Sequence, residues 1–221
     1  ALVVRRPRPG RLSLGRLGRR LVATEPRAST IVIGPSQSGK TGGLAIPAIL
    51  EAAGPVLAVS VKRDLLDHTF AARSSCGEVW IYDPTGAAQL DDERVVGWDP
   101  VRSCVEWADA RRMAHNLTSA QGASGSRDAE FWLQMAAKLL APLLLAAAGK
   151  IGGSMRDVVA WVDSGEQTAV SELLLDLGEP DAHAAFTATC RREERTLSSV
   201  YATTEAVLAP FSDPAVLEST A

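Results

Sequence analysis

The chain reads as an α/β protein, with a parallel-sheet nucleotide domain in its first hundred residues and an all-α unit after it. Three observations predict this. Up to about residue 100, short apolar runs alternate with helix-forming stretches, the pattern of strands joined by crossover helices. A glycine-rich octapeptide stands directly behind the first of those runs. Beyond Pro100 the strand signal gives way to apolar residues at helical spacing, as expected of amphipathic helices around a shared core.

Residues 1–27 carry eight arginines (Arg5, Arg6, Arg8, Arg11, Arg16, Arg19, Arg20 and Arg27) against Glu25 alone, a net +7 in a chain of net charge −3. The remainder is therefore acidic at −10, which excludes a general DNA-coating surface, because non-specific affinity comes from neutralising phosphates. A local basic pore or stripe stays open. Leu12, Leu14, Leu17 and Leu21 among glycines read as short edge strands, and the arginines read equally as a basic membrane-proximal segment. Residues 29–33, 55–61 and 78–83 are the strand candidates, rich in β-branched or aromatic residues and bounded by Gly or Pro. Their near-continuous apolarity predicts burial on both faces of a parallel sheet.

The octapeptide is Gly34-Pro35-Ser36-Gln37-Ser38-Gly39-Lys40-Thr41, followed by Gly42. It matches G-x-x-x-x-G-K-[ST], a phosphate cradle in which glycines let backbone N–H groups converge, Lys40 reaches the β- and γ-phosphates and the Thr41 hydroxyl ligates Mg²⁺. A helix starting near Gly39 adds its positive end. Pro47 predicts a kink in that helix or a fresh start at the proline.

In the second part, Trp107, Ala110, Ala114 and Leu117 form one apolar stripe, Val170, Leu173, Leu174 and Leu177 another, and Leu197, Val200, Tyr201, Thr204 and Leu208 a third. Loops at 122–127, 149–154 and 178–181 separate them, with Ser154 and Asp181 as expected N-caps. The long apolar stretch 131–148 holds Gln134, Lys138 and Pro142; a central lysine costs about 3 kcal/mol in a membrane helix, so it reads as a buried helix. An all-α domain is expected over 101–208, and Pro210 and Pro214 mark a return to extended chain over 209–221. Cys76, Cys104 and Cys190 are scattered, as are His68, His115 and His183, and give neither a disulfide framework nor a metal site.

Downstream of the loop come Pro47, Gly54-Pro55, Ser60-Val61-Lys62-Arg63-Asp64, Arg73, Gly77, Asp83-Pro84 and Trp98-Asp99-Pro100-Val101. This order resembles the TraG/TraD-type coupling ATPases of conjugation and type IV secretion, relatives of FtsK-like motors. The resemblance implies an incomplete RecA-like P-loop domain with an all-α insertion, and ATP with Mg²⁺ as cofactors. It also implies Lys40 as the catalytic cation, a homo-hexameric ring, secretion-channel and relaxosome proteins as partners, and DNA or protein cargo. The location implied is the cytoplasmic face of the cell membrane, reached through segments outside this soluble chain.

Two departures bear on this. Ser60 stands where the family has Asp, with Asp64 in place of its final acid, so Lys62 receives no catalytic duty; a Lys62–Asp64 turn contact is the simpler reading. An apolar strand ending in Asp-Glu, which the family carries after the insertion, is not among these 221 residues. Residues 79–83 imitate it, with Asp83 as a candidate Mg²⁺-side acid, whereas Asp91, Asp92 and Glu93 read as a solvated loop and Arg191, Arg192 and Arg195 with Glu193 and Glu194 as a salt-bridged face. Weak nucleotide binding and negligible hydrolysis are expected of this stretch alone. The rival functions are a docking module for secretion substrates and a small-molecule phosphotransferase.

Overall fold

The computed structural model describes residues 3–4, 10–86, 88, 94–122 and 126–220. Arg5, Arg6, Arg8, Asp91, Asp92 and Glu93 lie outside them. The chain forms two compact units, Ala1–Trp80 and Ile81–Ala221.

In the first unit, β1 (Val3–Val4), β2 (Ser13–Leu17) and β3 (Arg20–Ala23) make an antiparallel sheet of order β1-β3-β2. The β2–β3 hairpin turns through Gly18 and Arg19, with Leu17 opposite Arg20 and Arg16 opposite Leu21. Gly18 has φ 58°, the left-handed conformation that a two-residue hairpin loop needs and glycine adopts without a Cβ clash. At the hairpin base the Thr24 amide donates to the Leu12 carbonyl at 2.9 Å, and the Arg11 guanidinium donates to the Thr24 carbonyl at 2.5 Å.

Behind the glycine-rich loop the helical path begins as a π turn over Thr41–Ala45, in which the Ile46 amide reaches back to the Thr41 carbonyl. It then tightens into α1 (Ile46–Glu51), with Pro47 in its first turn. Gly42 and Gly43 are poor helix formers, and proline is tolerated only where its missing N–H is not needed; the change of winding falls just before Pro47 for that reason. In α2 (Asp64–Ser74), Asp64 and Asp67 sit in the first turn and Arg73 in the last, each complementing the helix dipole.

The parallel sheet expected from 29–33, 55–61 and 78–83 is not formed. These stretches carry no ladder among the described residues, apart from one parallel bridge between Ile81 and Val95. Ile31, Ile33, Leu57, Val59 and Val61 are between 86% and 101% exposed. A parallel strand has no hydrogen bonds of its own and is held only by neighbours on both sides, so apolar pattern alone does not assemble it.

The second unit begins at Ile81, whose amide donates to the Arg94 carbonyl and whose carbonyl accepts from the Val96 amide. A 3₁₀ turn (Val101–Ser103) leads to α3 (Trp107–Ser119), α4 (Arg127–Gly149), α5 (Met155–Ser164), α6 (Thr168–Asp176), α7 (Pro180–Cys190) and α8 (Glu194–Leu208). Helix α4 is the hub and packs against α3, α5, α6, α7 and α8. It is long and apolar enough to cross a membrane, but it is the core of this bundle: Met135, Ala136 and every residue from Leu139 to Ala147 are buried. Ala110 and Ala114, Val170 and Leu174, and Val200, Thr204 and Leu208 turn inward, with Trp107, Trp132 and Trp161 packed partly buried against the same core.

Ser154 and Asp157 form a reciprocal capping box at α5. Asp181 is not the cap of α7, which starts at Pro180, because proline's fixed φ favours the first helical position. Residues 209–220 do not return to extended chain either. They form a 3₁₀ turn (Ala209–Ser212) and α9 (Pro214–Glu218), where Asp213 accepts from the Ala215 amide and Pro214 opens the helix.

Candidate nucleotide-phosphate site

Gly34, Pro35, Ser36, Gln37, Ser38 and Gly39 form one exposed loop, with Lys40 and Thr41 half-buried beneath it and Gly42 exposed beyond. The loop is wrapped around its own lysine. The Lys40 ammonium donates to the Gly34 carbonyl at 2.7 Å, the Pro35 carbonyl at 2.5 Å and the Ser38 hydroxyl at 3.4 Å. Those three acceptors match its three donors.

Local backbone geometry explains why these residue types are needed. Gln37 and Gly39 have φ 61° and 79°, so the chain alternates in hand on either side of Ser38, the arrangement that turns successive N–H groups into a concave anion nest. Gly39 adopts this freely, whereas Gln37 pays roughly 1–2 kcal/mol. A Cβ on Gly34 would lie 2.9 Å from the Ser38 oxygen, so Gly34 allows the close approach that lets Lys40 span the loop. The Gly43 amide donates to the Gly39 carbonyl at 2.7 Å, locking the loop to the π turn and placing the Thr41 hydroxyl at its start.

Asp83 and Asp64 both serve the local backbone. The Asp83 carboxylate accepts from the Ala88 amide at 2.9 Å and its carbonyl from Gly86, so it closes its own turn. Asp64 accepts from the Leu65 amide, while the Lys62 amide donates to the Ser60 hydroxyl; no ion pair joins Lys62 to Asp64 among the described residues. Arg191, Arg192, Glu193, Glu194 and Arg195 are all exposed, and among the described residues no ion pair joins them, so the expected salt-bridged face is not formed. Arg73 bridges the carbonyls of Ala52 and Gly54 at 2.7 and 2.9 Å, capping the end of α1. That duty joins residues about twenty positions apart, and no local sequence signal reveals it.

The Trp98-Asp99-Pro100-Val101 element fastens the helical unit. The Trp98 amide donates to the Ser219 carbonyl at 3.0 Å, tying the entry of the unit to its exit. Asp99, pushed up by burial against the opposing pull of the Val101 amide and Arg102, accepts from Val101 at 2.9 Å and so starts the 3₁₀ turn. Val101 and Cys104 are fully buried behind it.

Three kinds of comparison bear on this geometry. The chain is 34% identical over 101 residues to Protein VirD4 of Rhizobium rhizogenes, which covers 42% of this chain and 14% of that protein. Protein VirD4 of Rhizobium radiobacter and that of Agrobacterium fabrum (strain C58 / ATCC 33970) are each 33% identical over the same length and shares. The matched region thus spans about a seventh of the length of these relatives. No solved structure matches. The profile of the family described as type IV secretory system conjugative DNA transfer matches residues 4–221, and the chain therefore belongs to that family of coupling proteins.

Proposed function

We propose that this chain supplies the ATP-phosphate site of a type IV secretion coupling protein, one that powers transfer of DNA, or of protein cargo, towards a secretion channel. The observation that carries the reading is the closure of the 34–42 loop around Lys40. Its interior is shaped to hold a point charge against oxygen atoms, and neutral carbonyls are weaker partners for an ammonium than phosphate oxygens.

The loop fits MgATP on its own geometry: a backbone nest at 37–39, no Cβ at Gly34, and a cation that can swing from the Gly34 and Pro35 carbonyls onto anionic oxygens. Bound MgATP would supply the phosphoanhydride whose cleavage releases the energy for transport. Backbone amides of 36–41 would hold the β-phosphate, Lys40 would neutralise charge on the transferred group, and Thr41 would offer its hydroxyl to Mg²⁺. Catalysis in such sites is positioning and electrostatics. An arginine from a neighbouring subunit of a homo-hexameric ring would complete the site.

The same reading assigns residues 29–33, 55–61 and 78–83 to strands of a RecA-like parallel sheet shared with further polypeptide of the protein. Its support is the five aliphatic side chains left in water, whose burial would contribute on the order of 10 kcal/mol. The intact assembly would work at the cytoplasmic face of the membrane with relaxosome and channel proteins. Calorimetric titration of the 221-residue chain with Mg·ADP tests the site: saturable binding lost in Lys40→Ala supports it, and heat that is unchanged by the substitution refutes it.

A further inference from the structure

The β2–β3 hairpin ends in a tip whose residues 14–20 are all exposed. Leu17 is 73% exposed and Leu14 39%. Arg16, Arg19 and Arg20 flank Leu17 at this tip, and among the described residues no carboxylate pairs with any of them. The register puts Leu17 and Arg20 on one face of the hairpin and Arg16 with Leu21 on the other, so the tip is cationic from both sides with an aliphatic point between. Its backbone is held from below, by the ladder and by Arg11 on the Thr24 carbonyl. The tip is therefore presented on a braced ribbon.

We propose that this tip docks on the surface of an anionic bilayer, with Arg16, Arg19 and Arg20 on phospholipid headgroups and Leu17 immersed at the acyl boundary. Two features select a bilayer over another polyanion. An exposed leucine at the apex gains nothing from a sugar-phosphate backbone but gains from the headgroup–acyl boundary. Residues 1–27 contain no aromatic side chain, and no Asn, Gln or Lys, leaving out the aromatic platforms for bases and the amides that read adenine. The rest of the chain is acidic at −10, so the net attraction to an anionic surface is concentrated in residues 1–27. The inference deepens the membrane placement proposed above. It is tested without nucleotide, so its failure leaves the phosphate-site reading standing.

The experiment is co-sedimentation of the 221-residue chain with phosphatidylcholine vesicles, with and without about 30 mol% phosphatidylglycerol, where each arginine near the surface is worth about fivefold in partitioning. Binding to the acidic vesicles should exceed that to neutral ones, and the triple Arg16→Gln, Arg19→Gln, Arg20→Gln variant should lose on the order of a hundredfold. The triple Arg16→Lys, Arg19→Lys, Arg20→Lys variant should retain most of the binding. Leu17→Ser should lose about tenfold for a side chain half immersed, with binding to duplex DNA unaffected. All four positions are exposed, so circular dichroism should show the variants folded. Equal partitioning to neutral and acidic vesicles overturns the proposal. A Leu17→Ser variant that binds acidic vesicles like the wild type, with duplex DNA bound as tightly as lipid, overturns it in favour of a general polyanion surface.

Discussion

Replacing Lys40 with alanine separates the two things the ammonium does. In the loop as folded it donates to Gly34, Pro35 and Ser38, all on an exposed segment where water substitutes readily, so its loss should cost the apo protein about 0.5 kcal/mol or less. Against phosphate the same group makes charge-assisted bonds worth roughly 1.5–3 kcal/mol. At a Mg·ADP concentration a hundredfold above the wild-type Kd, binding stabilises the folded chain by about 2.7 kcal/mol, a rise in Tm of roughly 5–10 °C for a chain of this size. Weakening the affinity by 1.5–3 kcal/mol leaves only about 0.3–1.3 kcal/mol of that stabilisation at the same concentration. Thermal denaturation of wild type and Lys40→Ala, with and without Mg·ADP, reads both effects at once. Equal shifts in the two proteins would mean the ligand binds elsewhere; an apo variant that melts far below the wild type would mean that Lys40 is a structural pin.

Other substitutions probe the neighbours. Gly34→Ala should weaken nucleotide binding several-fold because its Cβ meets the Ser38 oxygen, and adding Ser38→Ala should recover part of the loss in a double-mutant cycle. Asp83→Asn should leave binding and its Mg²⁺ dependence unchanged, since the Asp83 carboxylate serves the Ala88 amide; a lost Mg²⁺ dependence in titrations would return it to the metal. Arg73→Ala should destabilise the first unit by about 1–3 kcal/mol, seen in urea unfolding, by stripping the carbonyls of Ala52 and Gly54 of a charged donor. In the helical unit, burial raises Cys104 and Cys190 to about 11 and Tyr201 to about 12. Groups whose folded pKa is raised contribute stability in full below their unfolded values, and lose it as pH climbs through the folded ones. Melting followed by circular dichroism should therefore fall between about pH 9 and 12, with a flat profile there as the contrary result.

Much of the site was legible because a phosphate loop is local: each of the nine residues 34–42 sits within one turn of chain, and the glycines declare the backbone they permit. The helices were legible for a related reason, since Ala110, Ala114, Val200 and Thr204 repeat at a spacing set by one helix rather than by its neighbours. What could not be read locally was pairing. Residues 55–61 have the composition of a central strand, yet Leu57 and Val59 stand in water, because composition does not supply neighbouring strands. Asp181 and Pro214 show a finer limit: an acid or a proline marks a helix start, but which of two adjacent residues caps it depends on the preceding turn. The arginines of 1–27 were visible at once. That Arg16, Arg19 and Arg20 flank Leu17 at one hairpin tip needed the strand register.

The central claim, that the loop closed around Lys40 is a nucleotide-phosphate site, is tested most directly by ¹⁵N-resolved NMR of the 221-residue chain during titration with Mg·ADP. The amides of Gly34, Ser36, Gln37, Ser38, Gly39, Lys40 and Thr41 should shift together along one binding isotherm, with the Lys40 side-chain ammonium among them, and Lys40→Ala should abolish the response. Shifts confined to residues outside 34–42, or an undiminished response in Lys40→Ala, would contradict it.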